Sequence, residues 1–502
     1  VLSLVVFAAL GAWIGFANPL LHFPLAALLF PLCLSWIGLR ATSAKKAFKY
    51  GWIAALLAGV GIVYWVVIPV QIYGALPWYI ALPCPVLLAG ILGLYYAGYS
   101  LLMYKAGRRL QGVSLCLVAG VLWAAMEIAM GTMFSGFPWM NLGSAFVPWV
   151  YAIQPASLVG AYGLSGILTS LAVALLLYST YRSTPLLAVS LILFIGGYGV
   201  YRVDFSKQPE PDVMVSIIQG NVDQAQKWEQ KFQAETVNTY IQLTQEAIQK
   251  NHSKIVVWPE TAMPFYLQDR TPFNDSIQGL AKDSGVHIVT GSPAYNVINL
   301  KTRAYNLLNR AWLIDETGRM TQSYDKEHLV PFGEYMPLQE WVPFEKLVKA
   351  VGNFVPGKNN SPLISDGIAL GVLICYEGVF PELAQKQVEK GASALLNISN
   401  DAWFGDTSAP RQHLNLSAMR AVEQGRWLIR CTNNGISAFI TPIGSVQSTT
   451  VQFKAETLSS QVAPIKDKTI YHQYFTRIKT SIIILAVLSI GFLFFPRRKK
   501  DT

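Results

Sequence analysis

Charge is what the first two-fifths of this sequence lacks. From Val1 to Tyr201 the charged residues are Arg40, Lys45, Lys46, Lys49, Lys105, Arg108, Arg109, Glu127 and Arg182, so one acid stands in the whole stretch. Over all 502 residues only 14% are charged, and mean hydropathy is +0.36. That balance is too apolar for an ordinary soluble protein and implies a membrane. Also missing are HExxH, CxxC, Walker and GxSxG strings. Metal, nucleotide and serine-hydrolase chemistry therefore have no signature here, and no cofactor is expected.

Between the basic clusters run apolar stretches that can be measured against the roughly 20 residues needed to cross a bilayer core. Seven fit, at about 2–18, 23–39, 50–71, 77–104, 112–130, 159–181 and 185–201, and an eighth runs from Thr480 to Phe495. The first is expected to be a retained anchor rather than a cleaved signal peptide, because no A-x-A-like site follows it and a second span comes almost at once.

Cytoplasmic loops hold the excess of Lys and Arg. With the N-terminus inside, the loops after spans two, four and six and the C-terminal tail hold Arg40, Lys45, Lys46, Lys49, Lys105, Arg108, Arg109, Arg182, Arg497, Arg498, Lys499 and Lys500 against Asp501 alone. These carry +11 of charge, and Glu127 brings the total to the chain's +10, so residues 202–479 are net neutral. The basic balance reports topology, and nucleic-acid binding, which would want a basic patch on the folded domain, is excluded. The expected organisation is a membrane domain over 1–201, an extracytoplasmic domain over 202–479, a C-terminal span over 480–496 and a cytoplasmic tail over 497–502.

The hydrophilic part reads as alternating strands and helices. Val213–Ile218, Lys254–Trp258, His287–Thr290, Ala369–Cys375 and Ala394–Ile398 are short apolar runs suited to strands buried on both faces. Val237, Ile241, Thr244 and Ile248 recur at spacings of three and four, as on a helix laid against a sheet. Together they predict an α/β domain.

Three polar residues stand at or near the ends of apolar runs: Glu260 after IVVWP, Cys375 closing GVLIC, and Lys326 in SYDKEHLVPFGEY. A thiol that attacks, a carboxylate that takes its proton and an ammonium that stabilises the tetrahedral oxyanion form a coherent set for acyl carbon. Taken singly, a strand-end cysteine is usually a small buried apolar residue, and a lone Glu or Lys is a surface residue.

The surrounding strings carry more weight. IVVWPETAMP (255–264), YDKEHLVPFGEYMPL (324–338), GVLICYEGVFPE (371–382) and NISNDAWFGD (397–406) resemble the nitrilase, or carbon–nitrogen hydrolase, superfamily. With the flanking spans, and with IIQGNV (217–222), FVPGK (354–358), AMRAVEQGRWLIRCTNNGISAFI (418–440) and GFPW (136–139), the chain looks like its membrane branch, the apolipoprotein N-acyltransferases. The resemblance implies an αββα sandwich carrying a Glu-Lys-Cys triad beside a polytopic membrane domain of about eight spans. Glu260 would be general base, Lys326 the oxyanion-stabilising cation, Cys375 the nucleophile and Glu334 the acid that holds Lys326. Trp228, Tyr376 and Glu377 match positions the family uses around its substrate mouth.

The reaction so implied takes an acyl group from a membrane phospholipid onto the cysteine as a thioester. It then passes to the α-amine of a diacylglyceryl-modified apolipoprotein. The implied setting is a bacterial inner membrane, with the catalytic domain on the periplasmic side and both termini cytoplasmic. A membrane-tethered amidase that uses water as acceptor, and a non-catalytic transporter or receptor, are the competing readings.

Several residues carry plainer expectations. Cys431 in WLIRCT reads as a buried strand residue rather than a disulfide partner for Cys375. Glu127 reads as a structural hydrogen-bonding group near the GFPW turn, with Met130 rather than a cation three residues on. His328 and His413 read as structural, since Glu260 is the better-placed base. Pro337–Phe354 reads either as an amphipathic arm dipping into lipid or as a helix packed on its own domain.

Overall fold

The computed structural model describes residues 1–207, 209–224, 226–299, 301–302, 304–336, 354–358 and 361–495. Residues 337–353 of the expected arm and the basic tail lie outside them.

Six helices are long and apolar enough to cross a membrane: Ala44–Val66, Trp78–Ala106, Gly112–Ser135, Ala156–Leu176, Thr184–Phe205 and Phe475–Phe494. The first two of the eight expected spans are shorter apolar helices, Leu2–Gly15 and Pro24–Arg40. The first has 14 residues, about 21 Å of helix against a hydrocarbon core of about 30 Å. Exposure matches lipid on the outer helices: Leu186 and Leu193 are 70% and 68% exposed, and Val487 and Leu488 61% and 64%. Aqueous folding would not leave such rows uncovered. Where the spans meet, small residues let backbones touch, and a Cβ at Gly166 would lie 2.8 Å from the Gly120 carbonyl.

The hydrophilic part contains two six-stranded sheets. One holds β1 (Val213–Gln219), β2 (Ile255–Val257), β3 (His287–Asn299), β4 (Ala304–Ile314), β5 (Met320–Asp325) and β12 (Glu456–Val462), in the order β12-β1-β2-β3-β4-β5. The other holds β6 (Leu363–Ser365), β7 (Ile368–Ile374), β8 (Ala394–Ser399), β9 (Leu428–Thr432), β10 (Ala438–Ile440) and β11 (Val446–Thr449), in the order β11-β10-β9-β8-β7-β6. β1, β2 and β3 run parallel, as do β7, β8 and β9, while the edges are antiparallel.

Strand alternation builds three layers of core. Ile255 and Val257 of β2 point toward Leu370, Val372 and Ile374 of β7 in one cluster between the sheets. Val256, between them, faces outward to α1 (Gln233–Asn251) and α2 (Pro272–Ser284), packing with Val237, Tyr240 and Ile277. On the other sheet, Leu373, Leu395 and Leu428 face α3 (Pro381–Glu389) and α4 (Ala409–Gln424). That outer cluster is continuous with the membrane helices, joining Ala418 and Val422 to Trp139, Leu164 and Leu168.

Polar contacts fix the same junction. Gln412 of α4 donates to the carbonyls of Ala17 (3.1 Å) and Ile62 (3.2 Å) and accepts from the Trp65 and Trp139 indoles at 3.2 and 2.6 Å. Glu423 accepts the Ala161 N–H at 2.7 Å. Glu127, buried in its span, accepts from Trp123 (2.8 Å), Asn141 (2.5 Å) and the Leu142 N–H (2.9 Å), tying down the chain after the GFPW turn.

Candidate active site

The three candidate residues lie at strand ends on the same end of the sandwich, one directly after β7, one directly after β5 and one three residues beyond β2. Cys375 closes β7, and its φ of +52° lies in the left-handed region. A non-glycine residue there carries strain of order 1–3 kcal/mol, so its surroundings must hold it. Asn397 Nδ2 and His413 Nε2 both donate to the Cys375 carbonyl, each at 3.2 Å. Glu377 accepts the N–H of Ile374 just upstream at 2.6 Å.

Glu260, Lys326 and Glu334 meet in one buried cluster. Lys326 Nζ lies 2.9 Å from Glu334 Oε1 and 3.3 Å from Glu260 Oε1. Asn309 of β4 bridges the same two carboxylates, donating to Glu260 Oε1 at 2.8 Å and Glu334 Oε1 at 2.9 Å. The remaining oxygens are satisfied by backbone: Asn400 N–H to Glu260 Oε2 (2.9 Å) and Val330 N–H to Glu334 Oε2 (2.8 Å). Lys326 exchanges backbone hydrogen bonds with Asn309 O (2.9 Å) and Gly357 N (2.8 Å). Glycine is required at 357, because a Cβ there would sit 2.5 Å from Asp325 Cβ.

The electrostatics follow from this geometry. Burial opposes the charge on Lys326, but Glu334, Glu260 and the Cys375 sulfur outweigh it and hold the ammonium well above the usual lysine range. Burial and then Glu260 push the Cys375 thiol far up, with Lys326 and a Ser399 hydrogen bond pulling the other way. The resting thiol is therefore protonated and needs a base beside it to react.

Behind the cysteine lies a second buried cluster on β8, β9 and α4. Arg430 Nη2 donates to Asp401 Oδ2 at 2.7 Å and lies 3.1 Å from His413 Nδ1. Ser399 donates to Asp401 Oδ1 at 2.8 Å, and Arg430 also donates to Asn397 Oδ1. Burial and then Arg430 lower the His413 pKa; its Nε2 faces the Cys375 carbonyl, and its Nδ1 lies 3.1 Å from both Arg430 Nη2 and Asp401 Oδ1. Asp401 stays charged despite burial, because Arg430 and His413 hold its carboxyl well below the usual range. Replacing Arg430 by Met takes from buried Asp401 its guanidinium partner and leaves only Ser399 and His413 against it, and breaking such a buried pair costs about 3–5 kcal/mol. A clear fall in Tm in detergent is expected, and a Tm equal to that of the wild type would refute this role.

The expected mouth residues divide. Trp228 is 37% exposed. Tyr376 is buried, donates to the Gly136 carbonyl of the GFPW turn at 2.9 Å and stacks beside Phe137 and Trp139. Phe134, Ser135 and Gly136 of that turn all have positive φ, at +54°, +75° and +77°, so a strained membrane-side turn abuts the cysteine loop. Glu377 faces inward: fully buried, it accepts the N–H groups of Glu327 (2.7 Å), His328 (3.0 Å) and Ile374 and the Tyr324 hydroxyl (3.1 Å). It thus clamps the Lys326 loop to the Cys375 loop, and burial pushes its carboxyl up to about 7.

His328 packs on Phe380 with ring centroids 4.0 Å apart. Cys431 points between the sheets, bonds to the Val257 carbonyl at 3.3 Å and is free, as is Cys375. Sequence reasoning missed Asn309 and Arg430. For Arg430 the string RCTNNG gave a place without a role, and for Asn309 no sequence signal existed. Among the described residues no three His, Cys, Asp or Glu side chains gather as a metal centre requires.

A buried carboxylate–ammonium pair beside a strand-end cysteine, between two stacked sheets, defines a protein of the carbon–nitrogen hydrolase class, and the family model "Carbon-nitrogen hydrolase" matches residues 214–465. The model "Apolipoprotein N-acyltransferase N-terminal domain" matches residues 8–174. Relatives named apolipoprotein N-acyltransferase include one from Geobacter metallireducens, 36% identical over 90% of this chain and 87% of its own. Another, from Methylococcus capsulatus, is 33% identical over 89% of this chain and 88% of its own. The chain belongs to the apolipoprotein N-acyltransferase family. Among solved structures, Saccharomyces cerevisiae Nit3, a member of branch 10 of the nitrilase superfamily, aligns over 54% of this chain and 96% of its own, at 19% identity and TM-score 0.40.

Proposed function

We propose that this chain transfers an acyl group from a membrane phospholipid to the α-amine of a diacylglyceryl-cysteine at an apolipoprotein N-terminus, through a thioester on Cys375. The observation that carries the reading is the buried Glu260–Lys326–Glu334 cluster beside a protonated thiol, in a domain whose helical layer shares one core with the spans.

Glu260 takes the thiol proton as sulfur attacks the donor ester. Lys326 faces the oxygen that becomes negative, where a fixed charge in a water-poor site is worth most. The lysophospholipid alkoxide takes the proton from Glu260 and leaves. A thioester is more reactive to an amine than the oxygen ester it came from, so one hard aminolysis becomes two easier steps. Water must be excluded meanwhile, or the thioester hydrolyses. Anchoring in the bilayer is supported by the substrates themselves, since donor and acceptor both keep acyl tails in lipid.

Topologically, the Lys and Arg distribution supports cytoplasmic termini, a catalytic domain over 202–479 on the periplasmic side and a bacterial inner membrane. The test is mass spectrometry of Cys375 in full-length protein incubated with phospholipid vesicles. An acyl adduct with release of lysophospholipid is expected, stable until an amine acceptor is added. An adduct lost to water as fast as it forms would make the chain a hydrolase, and no adduct would end the reading.

A further inference from the structure

Lys227 is a buried lysine that the mechanism so far does not use. Its side chain is 1% exposed, and its ammonium has no hydrogen-bond partner among the described residues. Burying a cation unpartnered is costly, and where a fold tolerates it the group has work to do. Its surroundings tie it to the base. Lys227 lies in the loop between β1 and α1, where Gln224 accepts from Asn400 Nδ2 at 2.7 Å, and the Asn400 N–H is the one holding Glu260 Oε2. Asn433 fastens the same loop, donating to the Val222 carbonyl at 2.8 Å and to Asn400 Oδ1 at 3.3 Å. The next residue, Trp228, is partly exposed. Lys227 therefore lies within electrostatic reach of the Glu260 carboxylate, in a loop fastened to the residue that holds it.

Proton counting in the second half-reaction shows what is missing there. An acceptor α-amine has a pKa of about 8 and arrives largely as the ammonium. Its nitrogen enters with three hydrogens and leaves as an amide with one. Glu260 can carry one of the two lost protons to the departing Cys375 sulfur. The other, if Glu260 kept it, would leave the base protonated when the next cycle needs it, so a further acceptor is called for.

Resting on the acyl-transfer reading above, we infer that Lys227 is a further catalytic residue, whose neutral amine takes the first proton from the acceptor ammonium. The freed amine attacks the thioester carbon, the C–S bond breaks, and the second proton passes through Glu260 to Cys375. Lys227 then returns its proton to solvent at the mouth. Burial lowers the Lys227 pKa to about 8, with the Glu260 carboxylate opposing, which matches it to the acceptor. Of the other acids nearby, Asp223 of the same loop accepts the Lys227 backbone N–H at 2.9 Å through its carbonyl, and Asp401, next to Asn400, is held by Arg430 and His413.

The experiment separates the half-reactions in full-length protein with phospholipid vesicles, using a synthetic diacylglyceryl-cysteine peptide as acceptor. Lys227→Met is expected to form the Cys375 thioester within about threefold of wild type, yet to transfer it to the peptide about 10²-fold more slowly at neutral pH. The defect should shrink as pH rises above the acceptor's pKa, and should vanish with hydroxylamine, an amine already neutral at neutral pH. Lys227→Arg, which keeps the charge but cannot deprotonate, should behave like the Met variant. The inference is overturned by rescue with Arg, by an equal loss in both half-reactions, by an equal loss with hydroxylamine, or by no loss at all. Absence of a thioester in the wild type would instead sink the acyl-transfer reading itself.

Discussion

Replacing Cys375 by alanine is expected to abolish the acyl-enzyme and to lower acyl transfer by on the order of 10⁴-fold or more, because nucleophile, base and cation act as a unit. Glu260 and Lys326 would remain, but with no sulfur to receive the acyl group neither has a step to assist. The fold should survive. The left-handed conformation at 375 is held through backbone atoms, with Asn397 and His413 on its carbonyl and Glu377 on the preceding N–H, and alanine carries the same Cβ as cysteine. The measurement is lysophospholipid release together with Tm in detergent. Residual thioester-independent transfer near the wild-type rate would overturn the assignment of the nucleophile.

Lys326→Met should damage stability as well as rate. Lys326 is the only ammonium bonded to either Glu260 or Glu334 among the described residues. Without it two buried carboxylates face each other across Asn309. Breaking a buried pair by removing one partner costs about 3–5 kcal/mol, and on the proposed mechanism loss of the cation facing the oxyanion costs on the order of 10²–10³-fold in rate.

The pH dependence has a definite sign. Two facing carboxylates raise each other's pKa in the folded variant, so the protonated form is favoured there. The deficit in Tm should therefore shrink as pH falls and grow as pH rises. Lys326→Arg should not restore activity, since a planar guanidinium cannot occupy the point-like place between the two acids. A variant as stable as wild type across pH 5 to 8 would refute this electrostatic picture.

The legible strands were β1, β2, the first four residues of β3, β7 and β8, which appear as short apolar runs. Helix α1 was legible through its period. β12, written ETLSSQV, and β4, written AYNLLNRAWLI, escaped notice, because an edge or antiparallel strand with one wetter face carries polar residues that look like loop. Glu260, Lys326 and Cys375 were legible because each stands at or near a strand end inside a long matching string. The junction with the membrane left only a faint sign in GFPW: nothing in the residues around Gln412 (RQHL, 411–414) foretold that it would meet two indoles and two carbonyls of the membrane part.

By itself the sequence determined that the chain is membrane-bound, since charge is nearly absent from its first 201 residues and hydropathy is a local property. It determined the family too, since the strings that carry it are contiguous. Only the tertiary structure decided that Asn309 bridges two acids, that Glu377 is a buried clamp and that Lys227 is shut in with no hydrogen-bond partner among the described residues. Those facts depend on strands β2, β4 and β5 and the loops after β1 and β7 converging from more than 150 residues of chain. No local pattern encodes such a meeting, because burial and pairing belong to the packed arrangement of all the segments at once.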